Sequence, residues 1–269
     1  TLQPAFETIE PLLPPGVPFT SALTAVKDRS NVVADEVGGM SRAMASFPSG
    51  IPFDIVGFDL DGTLLDTSGD LAAAVNYAIA TDGRPPFPVE AIHPFVGKGA
   101  KVMLERALDA SGSYDEAMLA RMLPILLDYY EQNLAIHSLP YPGLIAAMDA
   151  LEAAGVKLAI CTNKAERFTI PLLHQIGLSE RFASVVGGDT VGIAKPDPAP
   201  IHAMIERAGG GRTIFLGDTI NDIAGARNAG IPSIAVSFGF LDGPVKELEA
   251  DAIIRHFDEL MPLLKGWPA

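Results

Sequence analysis

The chain has 269 residues, 48% of them hydrophobic, with a formal net charge of −14 and a pI near 4.7. This composition supports a large core, for one domain or for a domain with an insert. No cluster of Lys and Arg suggests nucleic acid as a partner, no apolar run reaches the roughly 18 residues of a membrane span, and a single cysteine, Cys161, fits a reducing compartment, so we expect a cytoplasmic protein.

The first part of the chain is interrupted by prolines, and no helical or strand period persists in it. We expect residues 1–52 to form a poorly ordered N-terminal extension, with Met40 or Met44 as the natural start. A docking or oligomerisation arm is the alternative interpretation.

The apolar run at residues 55–58 predicts a short buried strand that leads directly into Asp59 and Asp61. Asp59 would then lie at the carboxyl end of a parallel strand, where open α/β sheets bind their ligands. Two acids this close repel each other, so the pair predicts either a bound metal or one strongly raised pKa. For an isolated aspartate, capping of a turn or helix is the alternative.

From Ser68 to Pro140 the pattern is helical, with apolar residues at helical spacing in three successive segments. The three apolar faces contain Leu71, Val75, Ala78 and Ile79, then Val102, Met103, Ala107 and Leu108, then Met118, Met122, Leu126 and Tyr129. Pro124 predicts a kink or break in the third helix. Since no strand signal interrupts this block, we predict a helical cap domain over residues 68–140.

After Tyr141 helices and strands alternate. The pattern predicts helices at residues 144–154, 168–176 and 201–208, and strands at 156–161, 185–186, 214–216 and 234–236. Such alternation is typical of a doubly wound parallel sheet. We therefore predict an α/β fold with a core domain formed by residues 53–67 and 141–269.

Further polar residues follow the later strands. Asp218 ends one strand and Asp222 begins the next helix, Thr162 and Asn163 follow another strand, and Lys195 precedes a helix. Together with the first two aspartates, these residues predict a site for Mg²⁺ and phosphate. Taken alone, Thr162 and Asn163 could cap a helix and Lys195 could be a solvated loop residue.

The ordered segments FDLDGT, CTN, KPDP and GDTINDIAGARNAG resemble the four motifs of the haloacid dehalogenase superfamily. Within it, the chain is most similar to phosphoglycolate phosphatases, over about residues 53–264. The resemblance implies a Rossmann-like core with an inserted helical cap, and Mg²⁺-dependent hydrolysis of a small phosphorylated metabolite, 2-phosphoglycolate, to glycolate and phosphate. We expect a monomer or a homodimer.

The resemblance also implies individual roles. Asp59 is expected to be the nucleophile that forms an aspartyl phosphate, and Asp61 the general acid and base. Mg²⁺ would be held by the Asp59 carboxylate, the Asp61 backbone carbonyl and Asp218, while Asp222 would orient a metal-bound water or Lys195.

Phosphate oxygens are expected to be bound by Thr162, by backbone N–H groups near Asn163, and by Lys195. Because the protein is so acidic, an anionic substrate needs local positive charge, for which Lys164 or Lys98 are further candidates.

Substrate selection is expected in the cap, at the loop formed by Gly97, Lys98 and Gly99. The glycines allow close backbone approach, and Lys98 could read a substrate carboxylate. An ordinary flexible surface loop is the alternative. Related phosphatases often have Asn where Lys98 stands.

Three functions other than phosphate hydrolysis fit parts of the pattern: dehalogenation, binding without catalysis, and sugar phosphate isomerisation. A dehalogenase needs neither Asp61 nor Mg²⁺, and a non-catalytic binding protein is expected to lack one of Asp59, Asp61 or Asp218, so these residues argue against both. A sugar phosphomutase retains Asp61 and differs only in the acceptor of the phosphoryl group.

Overall fold

The computed structural model describes residues 50–241 and 243–268, which all belong to one compact unit, Ser46–Ala269. The predictions for Met40, Met44 and the N-terminal extension as far as residue 49 lie outside the described residues. Ile51 and Phe53 are buried in the core. The packed chain thus already includes residues 51 and 52, which the sequence analysis assigned to the extension.

Six of the described strands form one parallel sheet. In chain order the described strands are β1 (Ile55–Phe58), β2 (Leu65–Asp66), β3 (Leu139–Pro140), β4 (Lys157–Cys161), β5 (Phe182–Val186), β6 (Thr213–Gly217), β7 (Ser233–Val236) and β8 (Ala252–Ile254). The order across the sheet is β5-β4-β1-β6-β7-β8, which places β1 between β4 and β6. All four residues of β1 are buried, as expected of a central strand covered on both faces. The edge strand β8 was not predicted from the sequence.

Helices cover both faces of this sheet. In chain order the described α-helices are α1 (Ser68–Ala80), α2 (Ala100–Ser111), α3 (Glu116–Gln132), α4 (Leu144–Ala153), α5 (Glu166–Ile176), α6 (Ala199–Arg207), α7 (Ile220–Asn228) and α8 (Leu260–Lys265). Apolar residues of α4, α5 and α8 pack on one face, and those of α6 and α7 on the other. This arrangement confirms the doubly wound α/β prediction. None of the described helices is both long enough and apolar enough to span a bilayer.

Helices α1, α2 and α3 form a separate apolar cluster, inserted between β1 and β4 in the chain. The predicted helical cap is therefore present. The strands β2 and β3 pair antiparallel where the chain enters and leaves the cap, a feature that the sequence did not predict. Helix α3 continues through Pro124 to Gln132, so of the predicted kink or break the break is wrong, while the kink stays a prediction.

The register of the parallel strands determines where the polar loops emerge. Phe58 of β1 is level with Ile160 of β4 and with Leu216 of β6. The residues that follow these three strands must therefore lie at the same carboxyl edge of the sheet.

Candidate active site

Three neighbouring loops bring the predicted polar residues together. Asp59 follows β1, Thr162 follows β4 and Asp218 follows β6, and all three side chains are buried. Lys195, from the loop before α6, reaches the same edge and bonds to Asp59. Residues separated by up to 159 positions in sequence thus share one site at the carboxyl edge of the sheet, since Asp59 and Asp218 flank that interval.

Asp59 is held through one carboxylate oxygen, while the other is free. Lys195 Nζ donates to Asp59 Oδ1 at 2.8 Å, whereas Asp59 Oδ2 accepts no hydrogen bond from any described residue. Asp59 lines a cavity although its residue is only 7% exposed. In the metal-free protein, burial raises the pKa of Asp59 to about 7 against the opposing charge of Lys195. The free oxygen is therefore available for bonding to a ligand in the cavity.

Lys195 is a fully engaged buried cation. Besides Asp59, its ammonium group donates to Asp222 Oδ1 at 2.6 Å and to the Cys161 carbonyl at 2.5 Å. Burial by itself would lower the pKa of Lys195, but the carboxylates of Asp222 and Asp59 raise it well above its usual range. With 1% of its side chain exposed, Lys195 is not a solvated loop residue.

Three buried carboxylates form a cluster that fits a hard divalent cation. Asp59, Asp218 and Asp222 each offer an oxygen, and these oxygens lie within 4.8 Å of one another. Asp218 is fixed by the Thr63 hydroxyl at 2.9 Å and by the Phe240 N–H at 2.7 Å. Burial, together with the charges of Asp222 and Asp59, raises the pKa of Asp218 well above its usual range. Oxygen ligands without His or Cys favour a cation such as Mg²⁺ over Zn²⁺.

Two glycines allow the close packing around Asp218. A Cβ atom on Gly62 would lie 2.3 Å from Asp218 Oδ2, and Gly62 also has a positive φ of 85°. A Cβ atom on Gly239 would lie 2.3 Å from the Cβ atom of Asp218. Any larger residue at either position would displace this carboxylate.

Asp222 is anchored at the start of α7. Its Oδ2 atom accepts from the Thr219 N–H at 2.9 Å, as part of a capping box in which the Asp222 N–H donates to the Thr219 side chain, and it also accepts from the Thr219 hydroxyl at 2.6 Å. With Oδ1 bonded to Lys195, both oxygens of Asp222 already have partners. This bonding is consistent with a role in orienting Lys195.

The side chain of Asp61 points to a different set of partners. Lys164 Nζ donates to both of its oxygens, at 2.9 and 3.0 Å, and the Thr67 hydroxyl donates to Oδ1 at 2.8 Å. Burial would lower the pKa of Lys164, but the charge of Asp61 raises it above its usual range. Asp61 lines the cavity beside Asp59, although its carboxylate is not part of the three-carboxylate cluster.

The Asn163 side chain links the loop of Lys195 to the cap loop at Gly97. Its amide donates to the Lys195 carbonyl at 3.1 Å and to the Gly97 carbonyl at 3.2 Å, and its oxygen accepts from the Lys195 N–H at 2.8 Å. The Asn163 backbone N–H donates to no described residue. The buried Thr162 hydroxyl accepts from the Lys164 N–H at 3.2 Å. Thr162 and Asn163 both line the cavity.

The predicted cap loop touches the core through backbone rather than through its lysine. The Gly97 carbonyl accepts from Asn163 and, at 3.0 Å, from the Asn221 side chain. Gly97 and Gly99 line the cavity, whereas Lys98 is exposed and does not line it. The position of its side chain thus gives no support to Lys98 as a substrate contact.

The cavity has a volume of about 210 Å³ and lies between the carboxyl edge and the cap. The cap contributes mainly apolar side chains to its wall: Leu71, Val96, Met103, Leu126 and Leu127. Three polar lining residues, Tyr130, Arg167 and Thr219, were not predicted from the sequence. The signal for Arg167 is a cation in the first turn of the helix after the Thr162 loop, and that for Thr219 is its place directly after Asp218, whereas Tyr130 has none.

Comparison with known proteins gives consistent similarities. Residues 56–236 match the family model described as haloacid dehalogenase-like hydrolase. The chain is 44% identical over 210 residues to the phosphoglycolate phosphatase of Agrobacterium fabrum, covering 77% of this chain and 90% of that protein. It is 40% identical over 221 residues to the phosphoglycolate phosphatase of Caulobacter vibrioides, covering 80% and 93%.

A solved structure shows the same architecture. The crystal structure of a predicted phosphoglycolate phosphatase from Haemophilus somnus 129Pt superposes with a TM-score of 0.73 at 29% sequence identity. The alignment covers 79% of this chain and 98% of that one.

Proposed function

Because the chain belongs to the haloacid dehalogenase-like hydrolase family, we propose that it is a phosphoglycolate phosphatase, which hydrolyses 2-phosphoglycolate to glycolate and phosphate. The main observation in support of this proposal is the bonding of the Asp59 carboxylate. Its carboxylate is positioned by Lys195, and its second oxygen is free in a cavity that Asp61 and Thr162 also line. The similarity to the curated phosphatases supports the choice of substrate.

In the first step, Asp59 Oδ2 attacks the phosphorus atom, and the bond between phosphorus and the glycolate oxygen breaks. The products of this step are an aspartyl phosphate and glycolate. Asp61 acts in this step from its protonated form, gives its proton to the leaving oxygen and becomes a carboxylate, and its place on the cavity wall beside Asp59 suits this role. Lys164 and Thr67 hold the Asp61 side chain in this position.

In the second step, Asp61 takes a proton from a water molecule, which attacks the phosphorus atom of the aspartyl phosphate. Phosphate leaves and the Asp59 carboxylate is restored. The surrounding cap side chains, among them Leu126 and Leu127, limit the access of other water molecules to the intermediate.

Positive charge and hydrogen-bond donors stabilise the transferring phosphoryl group. Lys195 offsets the charge of Asp59, and the Thr162 hydroxyl and the free Asn163 N–H are available to phosphate oxygens. The Asn163 side chain positions the Lys195 backbone rather than the substrate.

The residues present fit Mg²⁺. Asp59 and Asp218 would hold it, because their carboxylates offer hard oxygen ligands in one buried cluster, and the resemblance to the family adds the Asp61 backbone carbonyl as a further ligand. When bound, Mg²⁺ neutralises negative charge on the carboxylates and on the phosphoryl group. Asp222, whose oxygens are bonded to Lys195 and Thr219, acts as a support.

The remaining partner and location assignments stay predictions. A small phosphorylated metabolite is the expected partner, a monomer or homodimer the expected state, and the single cysteine supports a cytoplasmic location.

The proposal is tested by measuring phosphate release from 2-phosphoglycolate and from glucose 6-phosphate, with Mg²⁺ or EDTA. We expect release from 2-phosphoglycolate with Mg²⁺ only, and none in folded Asp59→Asn. Asp149→Asn, at an exposed residue paired with Arg181, is the matched control and should retain full activity. Substantial turnover by Asp59→Asn, no release from 2-phosphoglycolate by the unmodified protein, or isomerisation of the hexose phosphate without phosphate release would overturn the proposal.

A further inference from the structure

Three cationic side chains line the cavity, and only one of them has no anionic partner. Lys195 is bonded to Asp59 and Asp222, and Lys164 is bonded to Asp61. Arg167 is exposed to solvent, but unlike the exposed Lys98 it lines the cavity, and it makes no ion pair or hydrogen bond with any described residue. Its charge is therefore available to a bound anion.

Arg167 is held by an aromatic contact that leaves its hydrogen-bond donors free. Its guanidinium carbon lies 4.5 Å from the centre of the Phe168 ring. Stacking of this kind orients the planar guanidinium group without using its N–H groups. An arginine so placed is suited to bind a carboxylate with two parallel hydrogen bonds.

Tyr130 supplies a second unsatisfied group in the same cavity. The residue is 3% exposed, Lys164 Nζ lies 4.6 Å from the centre of its ring, and its hydroxyl makes no hydrogen bond of standard geometry with any described residue. Its ring meets the Phe168 ring edge to face, with centres 5.5 Å apart, so one phenylalanine contacts both Tyr130 and Arg167. Buried hydroxyl groups are normally hydrogen-bonded, so an unpaired one on a cavity wall suggests a bound polar group as its partner.

The charges around the cavity explain why a substrate carboxylate needs a cation separate from the phosphate site. The carboxylates of Asp59, Asp218 and Asp222 repel any anion at the reacting end of the cavity, and Lys195 is already shared between two of them. The wall contributed by the cap is mainly apolar and offers a carboxylate no charge of its own. A dianionic phosphate that also carries a carboxylate therefore requires a separate cation.

We propose that Arg167 and Tyr130 form a carboxylate subsite that selects phosphate monoesters bearing a carboxylate next to the ester carbon. This inference rests on the proposed function and deepens it. The subsite assigns substrate selection to a helix of the core and to α3 of the cap, and not to the exposed Lys98.

The test compares kcat/KM for 2-phosphoglycolate with kcat/KM for ethyl phosphate, which has similar size but no carboxylate. Arg167→Met should lower kcat/KM for 2-phosphoglycolate by about tenfold or more, mainly through KM, and leave ethyl phosphate within about twofold. Arg167→Lys should retain part of the selectivity, because charge remains but bidentate bonding is lost. Arg121→Met is the matched control, since Arg121 lies in the cap with 57% of its side chain exposed, and should change neither value.

Tyr130→Phe separates binding from a structural role. Removing an unpaired buried hydroxyl should leave Tm unchanged or raise it, while lowering kcat/KM for 2-phosphoglycolate selectively. Equal losses for both substrates in Arg167→Met and Tyr130→Phe, or a selective loss in Lys98→Ala instead, would overturn the subsite. If the unmodified protein does not hydrolyse 2-phosphoglycolate, the proposed function itself fails, which is a different result from failure of the subsite alone.

Discussion

Crowding of carboxylates around Asp59 leads to a prediction in which activity and stability change in opposite directions. Without metal, Asp59 shares its site with Asp218 and Asp222, and Lys195 is the single cation bonded to this described cluster. Asp59→Asn removes one negative charge, while the amide oxygen can still accept from Lys195. In EDTA at pH 8, we therefore expect Asp59→Asn to be inactive but more stable than the unmodified protein.

The magnitude follows from the pKa of Asp59, which burial raises from 3.8 to about 7 in the metal-free protein. A carboxyl group with a raised pKa in the folded state keeps its proton where the unfolded state has lost it, so stability falls as pH rises from about 4 to about 7. At 1.36 kcal/mol per pKa unit, this shift destabilises the fold by on the order of 4 kcal/mol at pH 8, where Asp59 is ionised, and by less than half of that at pH 5, where the folded protein keeps the proton and the unfolded chain does not.

The assay is urea unfolding of both proteins at pH 5 and pH 8, in EDTA and in Mg²⁺. In EDTA the free energy of unfolding of Asp59→Asn should exceed that of the unmodified protein by more at pH 8 than at pH 5. In Mg²⁺ the unmodified protein should be the more stable of the two. A ligand that binds only the folded state stabilises it, and the protein with the intact carboxylate binds Mg²⁺ more tightly.

Asp61→Asn is the matched control, with the same chemical change two residues away. This substitution leaves Lys164 buried without its anion, so we expect it to lower the free energy of unfolding by about 1–3 kcal/mol. The reasoning is refuted if Asp59→Asn is less stable than the unmodified protein in EDTA at pH 8, or if its advantage does not grow between pH 5 and pH 8.

Three further predictions concern the reaction, the metal and the cap connection. Asp61→Ala should reduce kcat by about 10²–10⁴-fold, measured by phosphate release, and a loss below tenfold would remove Asp61 from its acid and base role. EDTA should abolish turnover and Mg²⁺ restore it, with Ca²⁺ a poor substitute because of its looser coordination; full activity after dialysis against EDTA would contradict this. Asp70→Ala should lower the free energy of unfolding by about 2–4 kcal/mol, because its buried carboxylate accepts from the His137 N–H and from the N–H and hydroxyl of Ser138. Exposed Asp109→Ala is its control, and equal stability of the two variants would count against the assignment.

Most of the core fold was predictable because its signals are local. The apolar run before Asp59 is observed as β1, and the later alternation matches α4 to β7 within a few residues. The pair β2–β3 and the strand β8 were not predictable, because strands of two or three residues have no period of their own and depend on partners distant in the chain.

In helix α3 the sequence pattern also did not predict which of two neighbouring tyrosines is buried. The sequence pattern includes Tyr129 on the apolar face, but Tyr130 is the buried residue of the two and lines the cavity. Adjacent residues on a helix point in directions about 100° apart, so both can border a broad apolar face. The rotation of α3 about its axis, which is set by its packing against α1, then decides which of the two is buried.

The sequence by itself determined the reactive edge, because polar residues directly after apolar strands must emerge together once the strands are parallel and in register. It thereby placed Asp59, Thr162 and Asp218 at one edge of the sheet. Lys195 precedes a helix instead, and its bond to Asp59 shows that it reaches the same edge. Only the tertiary structure decided which cations are already neutralised. The pairing of Lys164 with Asp61 joins residues 103 positions apart, and no local pattern encodes such a distance. Arg167 remains unpaired for the same reason, since the charge of a side chain is written in the sequence whereas its partner depends on the packed fold.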